Sequence, residues 1–355
     1  MTAAQPGGKI RVLVVDDSIV IRHLLRQALQ EDPEIEVVGS EGNGVAALAR
    51  IPQVSPDVVT LDIEMPEMDG LQTLREIRKR HPRLRTIMFS SLTTRGAAAT
   101  FEALSSGADD YVAKSPNVGA LDQSLVALRG ELVPKVKQFF SPGPRAAAPQ
   151  KLSVSAAAVE RNGFAKPRIV AIGVSTGGPQ ALAEVIPHLP AGFPVPIVIV
   201  QHMPPTFTRL LAERLDAMSP LKIEEAADGM ELIAGRVLVA RGDHHLQVRG
   251  GGQSARALLD QGPHENSCRP SVDVLFRSLA ESHGGAVLSV VLTGMGSDGL
   301  RGTQALKSRG AFSLVQDEAS SIVWGMPGAI VQAGLADRVV PLRQIAPEIV
   351  RLAGR

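Results

Sequence analysis

Three aspartates in the first part of the chain could together bind a metal ion. Asp16 and Asp17 follow the apolar run "IRVLVV", and Asp62 ends the run "DVVTLD". If both runs are parallel strands, their carboxyl ends meet in one crevice, where the acids repel one another unless a cation joins them. Mg²⁺ suits a site that offers one or two carboxylates. The sequence therefore predicts a Mg²⁺ site at one edge of a sheet.

A hydroxyl and an ammonium group are expected at the same edge. Ser90 ends the apolar part of "TIMFSS", and Lys114 ends "YVAK". With a metal ion to neutralise charge, a carboxylate could attack a phosphoryl group while Ser90 and Lys114 hold its oxygens. Each acid could instead cap the helix that follows it. The convergence of all these groups on strand ends favours a phosphoryl-transfer site.

A serine stands among glycines in "GVSTGG", after the apolar run "RIVAI" and before a helix-like segment. A dinucleotide-binding loop needs G-x-G-x-x-G and an acid at the end of the next strand. The first spacing is absent, and "PIVIVQH" offers Gln201 and His202 where the acid should be. The spacing Gly173-x-Ser175-x-Gly177 instead fits a nucleophile elbow. A helix N-cap is the alternative role for this serine.

A nucleophilic serine needs a base and an acid that orients the base. His202 ends one apolar run, and Asp298 follows another in "AVLSVVLTGMGSDG". Ser175, His202 and Asp298 would then share one edge of a parallel sheet. Their chain order is Ser, His, Asp, whereas α/β-hydrolases have Ser, acid, His. Because a triad is defined by geometry and roles, the order indicates a different family rather than the absence of catalysis.

A zinc site is the other chemistry that histidines could support. His244, His245 and His264 are the available side chains. Adjacent residues on a strand point to opposite faces, so His244 and His245 cannot both face one ion. The sequence contains no H-x-x-x-H or C-x-x-C spacing. A zinc hydrolase is therefore disfavoured.

The elements that would carry these residues alternate along the chain. Residues 9–131 hold five apolar runs separated by amphipathic segments, which predicts an α/β domain with five parallel strands. Residues 132–166 are rich in Pro, Ala, Ser and basic side chains and are predicted to be a linker. A second alternating series over 167–355 predicts a doubly wound, mostly parallel α/β domain. Its stretch from Lys222 to Asp260 is expected to form a short antiparallel segment.

Composition narrows the class of protein. The net charge of +1 gives no overall electrostatic case for nucleic-acid binding, and the second half lacks the clustered basic helix of a DNA-binding output domain. The single cysteine excludes an internal disulfide bond. No signal peptide and no apolar stretch of the ~20 residues needed for membrane insertion are visible. We expect a cytoplasmic monomer.

The first half resembles the receiver domain of two-component response regulators in "VLVVDDS", "TLDIEMPEMDG" and "YVAK". This resemblance implies a flavodoxin-like fold in which Asp62 accepts a phosphoryl group from the histidine kinase of its pathway. It implies that Asp16 and Asp17, with Asp62 and the carbonyl of Glu64, bind Mg²⁺. The receiver switch residues that it implies are Ser90, Tyr111 and Lys114. In this family Pro usually follows the lysine directly, whereas here Ser115 lies between Lys114 and Pro116.

The second half resembles the catalytic domain of the chemoreceptor methylesterase (CheB) family. The resemblance rests on "AIGVSTGGP", "QHMPPTFT", "RPSVDVLF", "LTGMGSDG", "DEAS" and "GMPGAI". It implies hydrolysis of glutamate γ-methyl esters on methyl-accepting chemoreceptors and deamidation of particular receptor glutamines, with no cofactor for the esterase reaction. Ser175 would be the nucleophile, His202 the base and Asp298 its orienting acid. The amides of Thr176 and Met295 are the candidates for the oxyanion hole.

Two alternatives stay open at this point. A receiver-linked, non-catalytic binding module could retain the hydrolase fold without its chemistry. A paralogue could act on the receptors of a non-flagellar signalling pathway. The resemblance further implies that phosphorylation of the receiver activates the second domain.

Overall fold

The computed structural model describes residues 8–114, 121–140 and 165–354. The chain divides into two compact units, Met1–Ser141 and Pro142–Arg355. The predicted linker of residues 132–166 falls largely outside the described residues. Its first residues are described and are helical.

The first unit is built on a parallel sheet. Its strands are β1 Ile10–Val15, β2 Ile35–Glu41, β3 Val58–Asp62, β4 Arg85–Ser91 and β5 Asp110–Lys114. The strand order is β2-β1-β3-β4-β5, and each neighbouring pair is parallel. Because β1 lies beside β3 and β4 beside β5, the acids that follow β1 and end β3 reach the same edge as Lys114.

Helices cover this sheet. They are α1 Ile19–Gln30, α2 Gly44–Val54, α3 Gly70–Arg80, α4 Thr94–Ser105 and α5 Leu121–Lys137. The side chains of Ser18, Asn43, Asp69 and Thr93 accept hydrogen bonds from backbone amides in the first turns of α1 to α4. Short polar side chains at these positions satisfy amides that have no partner within the helix, which fixes where each helix begins.

Helix α5 extends beyond the domain boundary predicted at residue 131. Leu132, Val133 and Val136 are buried in the core of the first unit, against the strand residues Val12 and Val112. Pro134 lies inside the helix. The prolines nearby favoured a linker, but the apolar side chains at 132, 133 and 136 follow helical spacing. Their burial keeps this segment in the first unit.

The second unit contains a larger parallel sheet. Its strands are β6 Ile169–Val174, β7 Ile197–Gln201, β8 Lys222–Glu225, β9 Arg236–Val239, β10 His245–Arg249, β11 Arg256–Asp260, β12 Val287–Val291, β13 Phe312–Gln316 and β14 Arg338–Val340. Among the described residues, seven strands form one sheet in the order β14-β13-β12-β6-β7-β9-β8, and all of its pairs are parallel. Strands β10 and β11 pair separately as an antiparallel hairpin.

This arrangement confirms the predicted fold class, but the antiparallel segment is shorter than predicted. The whole stretch from Lys222 to Asp260 was expected to be antiparallel, but β8 and β9 join the parallel sheet. Among the strands that the structure describes in this stretch, β10 and β11 form the antiparallel pair. Short strands on either side of a turn have the same local pattern in both arrangements, so the sequence does not distinguish them.

The helices of the second unit pack against the two faces of its sheet. They are α6 Gly178–Val185, α7 Phe207–Met218, α8 Val272–Ser282, α9 Leu300–Ser308, α10 Met326–Gln332 and α11 Leu342–Ala353. The central strands β6, β7 and β12 are buried throughout, as expected for parallel strands covered on both faces. In the parts of the chain that the structure describes, no helix combines the length and apolar character needed to cross a bilayer.

Candidate functional sites

Three adjacent strands bring Ser175, His202 and Asp298 to one edge of the larger sheet. Strand β6 ends at Val174 and β7 at Gln201, so Ser175 and His202 directly follow neighbouring strands. Strand β12 pairs with the other side of β6, and Asp298 lies in the loop after β12. The carboxyl edge of the sheet therefore collects all three predicted side chains, as is usual for sites in open α/β sheets.

The turn that carries Ser175 is held from several directions. The Ser175 amide donates to the carbonyl of Thr293 at 3.0 Å, which ties the turn to the loop after β12. The side-chain amide of Gln201 donates to the Ser175 carbonyl at 2.9 Å. Gly177 has φ = 76°, a conformation that glycine adopts without strain. A side chain at Gly294 would place its Cβ 2.8 Å from the Ser175 Cβ.

His202, which is partly buried, pairs with the buried carboxylate of Asp298. Nε2 of His202 lies 2.8 Å from Oδ2 of Asp298, and Asp298 is 2% exposed. The same Oδ2 accepts the Val272 amide at 2.6 Å. The other oxygen, Oδ1, accepts from three further donors: Asn266 Nδ2 at 2.8 Å, Ser271 Oγ at 2.8 Å and the Asp273 amide at 3.1 Å. These four hydrogen bonds therefore fix the orientation of the Asp298 carboxylate independently of its contact with the imidazole.

The pair strongly favours its charged form. Burial alone would lower the pKa of His202, but the hydrogen bond to Asp298 and the contact with Cys268 raise this pKa to about 10. Burial alone would raise the pKa of Asp298, but the hydrogen bond from His202 and those from Val272 and Ser271 lower it to about 2. An imidazolium at His202 is thus well stabilised by the site.

The second ring nitrogen of His202 faces a thiol. Sγ of Cys268 lies 3.6 Å from Nδ1 of His202. Among the described residues, no hydrogen bond joins the side chains of Ser175 and His202; the two ring nitrogens contact Asp298 and Cys268. Catalytic hydrogen bonds are often long before substrate binds. Because Nε2 is held by Asp298, Nδ1 is the ring nitrogen left to act as a proton acceptor.

The two oxyanion-hole candidates lie on the chain segments next to Ser175. Thr176 is buried, and its carbonyl accepts the hydroxyl of Thr293 at 2.9 Å. Met295 follows Gly294, whose amide donates to Val323, and its side chain is 38% exposed. Thr176 therefore lies on the segment after β6, and Met295 lies on the segment after β12. The hydrogen bond between Ser175 and Thr293 connects these two segments.

Sequence reasoning missed four side chains of this site. Gln201 holds the Ser175 carbonyl, Asn266 and Ser271 hold Asp298, and Cys268 contacts His202. The segment "RPSVDVLF" gave a partial signal, since it contains Ser271 and precedes α8. Cys268 had been considered only for disulfide bonding. None of these contacts has a local spacing that predicts it.

The first unit has its own cluster of acids. Carboxylate oxygens of Asp16, Asp17 and Asp62 lie within 4.8 Å of one another at the carboxyl ends of β1 and β3. Nζ of Lys114 lies 2.8 Å from Asp62 Oδ2 and 3.1 Å from Asp16 Oδ2. Asp16 and Asp62 are buried, whereas Asp17 is exposed. The predicted side chains therefore converge at this edge.

The charges of this cluster are only partly balanced. Burial and the neighbouring Asp16 carboxylate raise the pKa of Asp62 to about 6, against the opposing effect of Lys114. Oδ2 of Asp16 and Oδ2 of Asp62 are buried and share the single ammonium group of Lys114, which balances one of the two negative charges. A hard divalent cation would satisfy both oxygens and lower the repulsion. The donor set therefore fits Mg²⁺. The Glu64 backbone also contacts Asp62 through a hydrogen bond.

The predicted switch residues lie on β4 and β5. The Ser90 hydroxyl donates to the carbonyl of Gly96 at 3.0 Å and accepts from the Thr100 hydroxyl at 2.7 Å, so it is directed at α4. Tyr111 is buried, and Nζ of Lys135 lies 4.9 Å from its ring centroid. Burial and the charges of Glu131 and Asp110 raise the pKa of Tyr111 well above 10.

Comparison with known proteins identifies the relatives of both units. The family model described as "CheB methylesterase" matches residues 170–349, and that of the response regulator receiver domain matches residues 12–126. A Trichodesmium erythraeum protein named protein-glutamate methylesterase/protein-glutamine glutaminase is 48% identical, over 98% of this chain and 99% of its own. A Nocardioides protein of the same name is 49% identical, over 99% of this chain and 96% of its own.

A solved structure agrees with these matches. The CheB methylesterase catalytic domain of Thermotoga maritima is 41% identical, with a TM-score of 0.51, and it covers 53% of this chain and 100% of its own length. The part covered is about the size of the second unit. The chain therefore belongs to the CheB methylesterase family, with a response regulator receiver domain in its first half.

Proposed function

We propose that the chain removes methyl groups from glutamate γ-methyl esters of chemoreceptors and deamidates specific receptor glutamines. The observation that supports this best is the contact between the partly buried His202 and the buried Asp298. These two residues follow the strands on either side of β6, the strand that ends directly before Ser175. A non-catalytic binding module would not need a charged pair held by four further donors in a buried site. The binding-module alternative is therefore not favoured.

The first half of the reaction forms an acyl-enzyme. Ser175 Oγ attacks the side-chain carbonyl of the substrate, and Nδ1 of His202 takes the serine proton. Asp298 keeps the proton on Nε2 and stabilises the imidazolium that forms. The charge on the substrate oxygen is stabilised by amide donors, for which Thr176 and Met295 are the candidates. Each such donor contributes about 3 kcal/mol to the lowering of the barrier.

The second half of the reaction frees the glutamate. His202 donates its proton to the leaving group, which departs as methanol from the ester or as ammonia from the glutamine amide. Water then attacks the acyl-enzyme while the same imidazole accepts a proton from it, and this proton passes to Ser175 Oγ as the bond between the acyl group and Ser175 breaks. Both substrates give the same acyl-enzyme and the same glutamate product, so one nucleophile serves both activities.

The receiver controls this activity through Asp62. Its carboxylate accepts a phosphoryl group from the histidine kinase of the pathway. Asp16, Asp17 and the Glu64 carbonyl would hold Mg²⁺ together with Asp62, and when bound the ion neutralises charge on the phosphoryl oxygens. Lys114, which contacts Asp62 and Asp16, binds a phosphoryl oxygen. Ser90 and Tyr111 respond to the phosphorylated aspartate. We expect a monomer that does not bind nucleic acid.

The experiment is an assay of two products. Chemoreceptors with radiolabelled γ-methyl esters are incubated with the purified chain, and released methanol is counted. Receptors with glutamine at the same sites are incubated in parallel, and mass spectrometry follows their conversion to glutamate. We expect both products, and each should form faster after a small-molecule phosphodonor and Mg²⁺ are added. Absence of both products with phosphorylated protein would refute the proposed function.

A further inference from the structure

A tight turn formed by residues 265–268 contacts both members of the His202–Asp298 pair. The amide of Glu265 donates to the carbonyl of Cys268 at 3.1 Å, and the amide of Cys268 donates back to Glu265 at 2.9 Å. The two central residues have positive φ, 51° at Asn266 and 61° at Ser267. This is the backbone of a two-residue hairpin turn with φ > 0 at both central positions, in which asparagine is favoured.

Two ion pairs hold this turn in place. The Arg277 guanidinium of α8 binds both carboxylate oxygens of Glu265, each at 2.6 Å. After the turn, Nε of Arg269 lies 2.9 Å from Oδ1 of Asp243, and its Nη1 donates to the Gly262 carbonyl at 2.8 Å. A bidentate arginine–carboxylate pair restricts orientation as well as distance. The turn is therefore anchored on both sides.

The Asn266 side chain bridges two carboxylates. Its Nδ2 donates to Asp298 Oδ1 at 2.8 Å and to Asp273 Oδ2 at 2.9 Å. Asp273 is 1% exposed, and burial together with the Asp298 charge contributes to raising its pKa. Without this amide, the buried carboxylates of Asp298 and Asp273 would each lose one hydrogen-bond donor and would repel each other more strongly. Asn266 thus directs Asp298 Oδ1 away from the imidazole and leaves Oδ2 for His202.

The Cys268 thiol occupies the other side of the imidazole. With the Nε2 proton directed at Asp298, neutral His202 has an acceptor at Nδ1 to which the thiol is a weak donor, and in the imidazolium the sulfur is a weak acceptor of the Nδ1 proton, which raises the pKa of His202. Cys268 is partly exposed, so the position that it occupies can be reached from outside. The ring is therefore held at both nitrogens, by Asp298 at one and by the turn at the other.

We propose that the Glu265–Cys268 turn is a positioning element of the esterase site, in which Asn266 fixes the carboxylate of Asp298 and Cys268 holds Nδ1 of His202 until the proton of Ser175 replaces the thiol. This inference rests on the proposed function. Neither Asn266 nor Cys268 reacts with substrate. Both act through the pair that does.

A glycine pair tests Asn266 without disturbing the turn. Glycine accepts positive φ, so Asn266→Gly removes the bridging amide and keeps the backbone, and Ser267→Gly is the matched control at the neighbouring position. We expect Asn266→Gly to lower kcat for methanol release about 10- to 100-fold with KM little changed, since a hydrogen bond to a charged group is lost. Ser267→Gly should keep the wild-type kcat. Equal losses in both variants, or no loss in Asn266→Gly, would overturn the proposal for Asn266.

A charge variant gives a readout that a merely structural role would not change. In Asn266→Asp the neighbouring carboxylates of Asp298 and Asp273 raise the pKa of the new carboxyl group. Because position 266 is exposed, this group is ionised at the neutral to alkaline pH of the acid limb and adds negative charge beside Asp298. The charged and titratable groups that already interact with the pair include Cys268, Asp273, Glu265 and Arg277. We expect the acid limb of the kcat/KM profile to move to higher pH because the imidazolium is further stabilised. An unmoved limb would contradict the proposal even if the variant were less active.

The thiol is tested by one deletion and one conservative replacement. Cys268→Ala removes the sulfur that accepts the Nδ1 proton of the imidazolium, a contact that raises the pKa of His202, so the acid limb should move to lower pH and kcat should fall. Cys268→Ser keeps a donor at the same position and should restore most of the wild-type profile. Identical profiles for wild type and Cys268→Ala would overturn the role of Cys268. If wild type releases no methanol at all, the proposed function fails instead, and the two failures are thereby separated.

Discussion

Oδ2 of Asp298 lies 2.8 Å from Nε2 of His202, and this contact determines which ring nitrogen can act as the base. Nε2 is occupied, so in the proposed mechanism the proton of Ser175 goes to Nδ1. This assignment is the reverse of the serine protease template, in which the acid binds Nδ1 and the base is Nε2. The chemistry is the same because the two nitrogens of imidazole exchange donor and acceptor roles together.

The pH profile of the esterase follows from this pair. The base must be neutral to accept a proton, and Asp298 raises the pKa of His202 above its ordinary value of 6.5. Activity should therefore increase with pH through an acid limb that lies above pH 6.5. The measurement is kcat/KM for methanol release across the range in which the protein stays folded. A limb at or below 6.5 would show that the imidazolium is not stabilised as described.

Asp298→Asn should move this limb and lower its plateau. Loss of the carboxylate removes the charge that opposes the desolvation of His202, so the acid limb moves to lower pH. The plateau should fall by about 10³- to 10⁴-fold because the tautomer is no longer enforced. Asp216→Asn is the control, since that carboxylate binds Lys222 and the Ile223 amide. A profile for Asp298→Asn that matches the control would contradict the assigned role.

Gly294→Ala tests how closely the loop after β12 packs on the serine turn. The added Cβ would lie 2.4 Å from the Met326 sulfur and 2.8 Å from the Ser175 Cβ, so the turn must shift. We expect a loss of about 1–3 kcal/mol in the free energy of unfolding and a larger loss of activity. Gly192→Ala, where nothing lies within 4 Å of the added Cβ, is the matched control. Chemical denaturation and the methanol assay measure both effects, and wild-type activity in Gly294→Ala would contradict the close packing.

Asp62→Asn tests the receiver. The amide cannot form the acyl phosphate, so a small-molecule phosphodonor with Mg²⁺ should no longer accelerate methanol release. Glu67→Gln replaces a nearby exposed acid and should keep the acceleration. The measurement is the initial rate of each protein with and without donor. Acceleration that persists in Asp62→Asn would show that another group receives the phosphoryl group.

Strand ends were the part of both sites that the sequence could predict. Apolar runs that finish in a polar residue identify the carboxyl edge of a parallel sheet, and Ser175, His202 and Asp62 lie there in the structure. Asp298 lies in a loop after its strand, but the glycines around it indicated a tight approach. These features follow from the local hydrophobic pattern and from the rule that sites in open α/β sheets lie at the carboxyl ends of the strands.

The surroundings of the site could not be predicted in the same way. Asn266 and Cys268 reach the pair from a turn that is more than 60 residues from His202 and about 30 from Asp298, through contacts that leave no periodic signal. Similarly, the burial of Leu132 and Val136 places the end of α5 in the first unit, although the prolines nearby indicated a linker. In both cases the position of the residues depends on tertiary packing rather than on local secondary-structure propensity.

Methanol release by Ser175→Ala tests the identity of the nucleophile most directly. If Ser175 Oγ attacks the substrate carbonyl, its removal should lower kcat by at least about 10⁴-fold. Ser254→Ala, which changes an exposed serine whose hydroxyl binds the Gly251 carbonyl, should keep the wild-type rate. Phosphorylation of Asp62 should be unchanged in both variants, which shows that the first unit is intact. Wild-type methanol release by Ser175→Ala would contradict the mechanism.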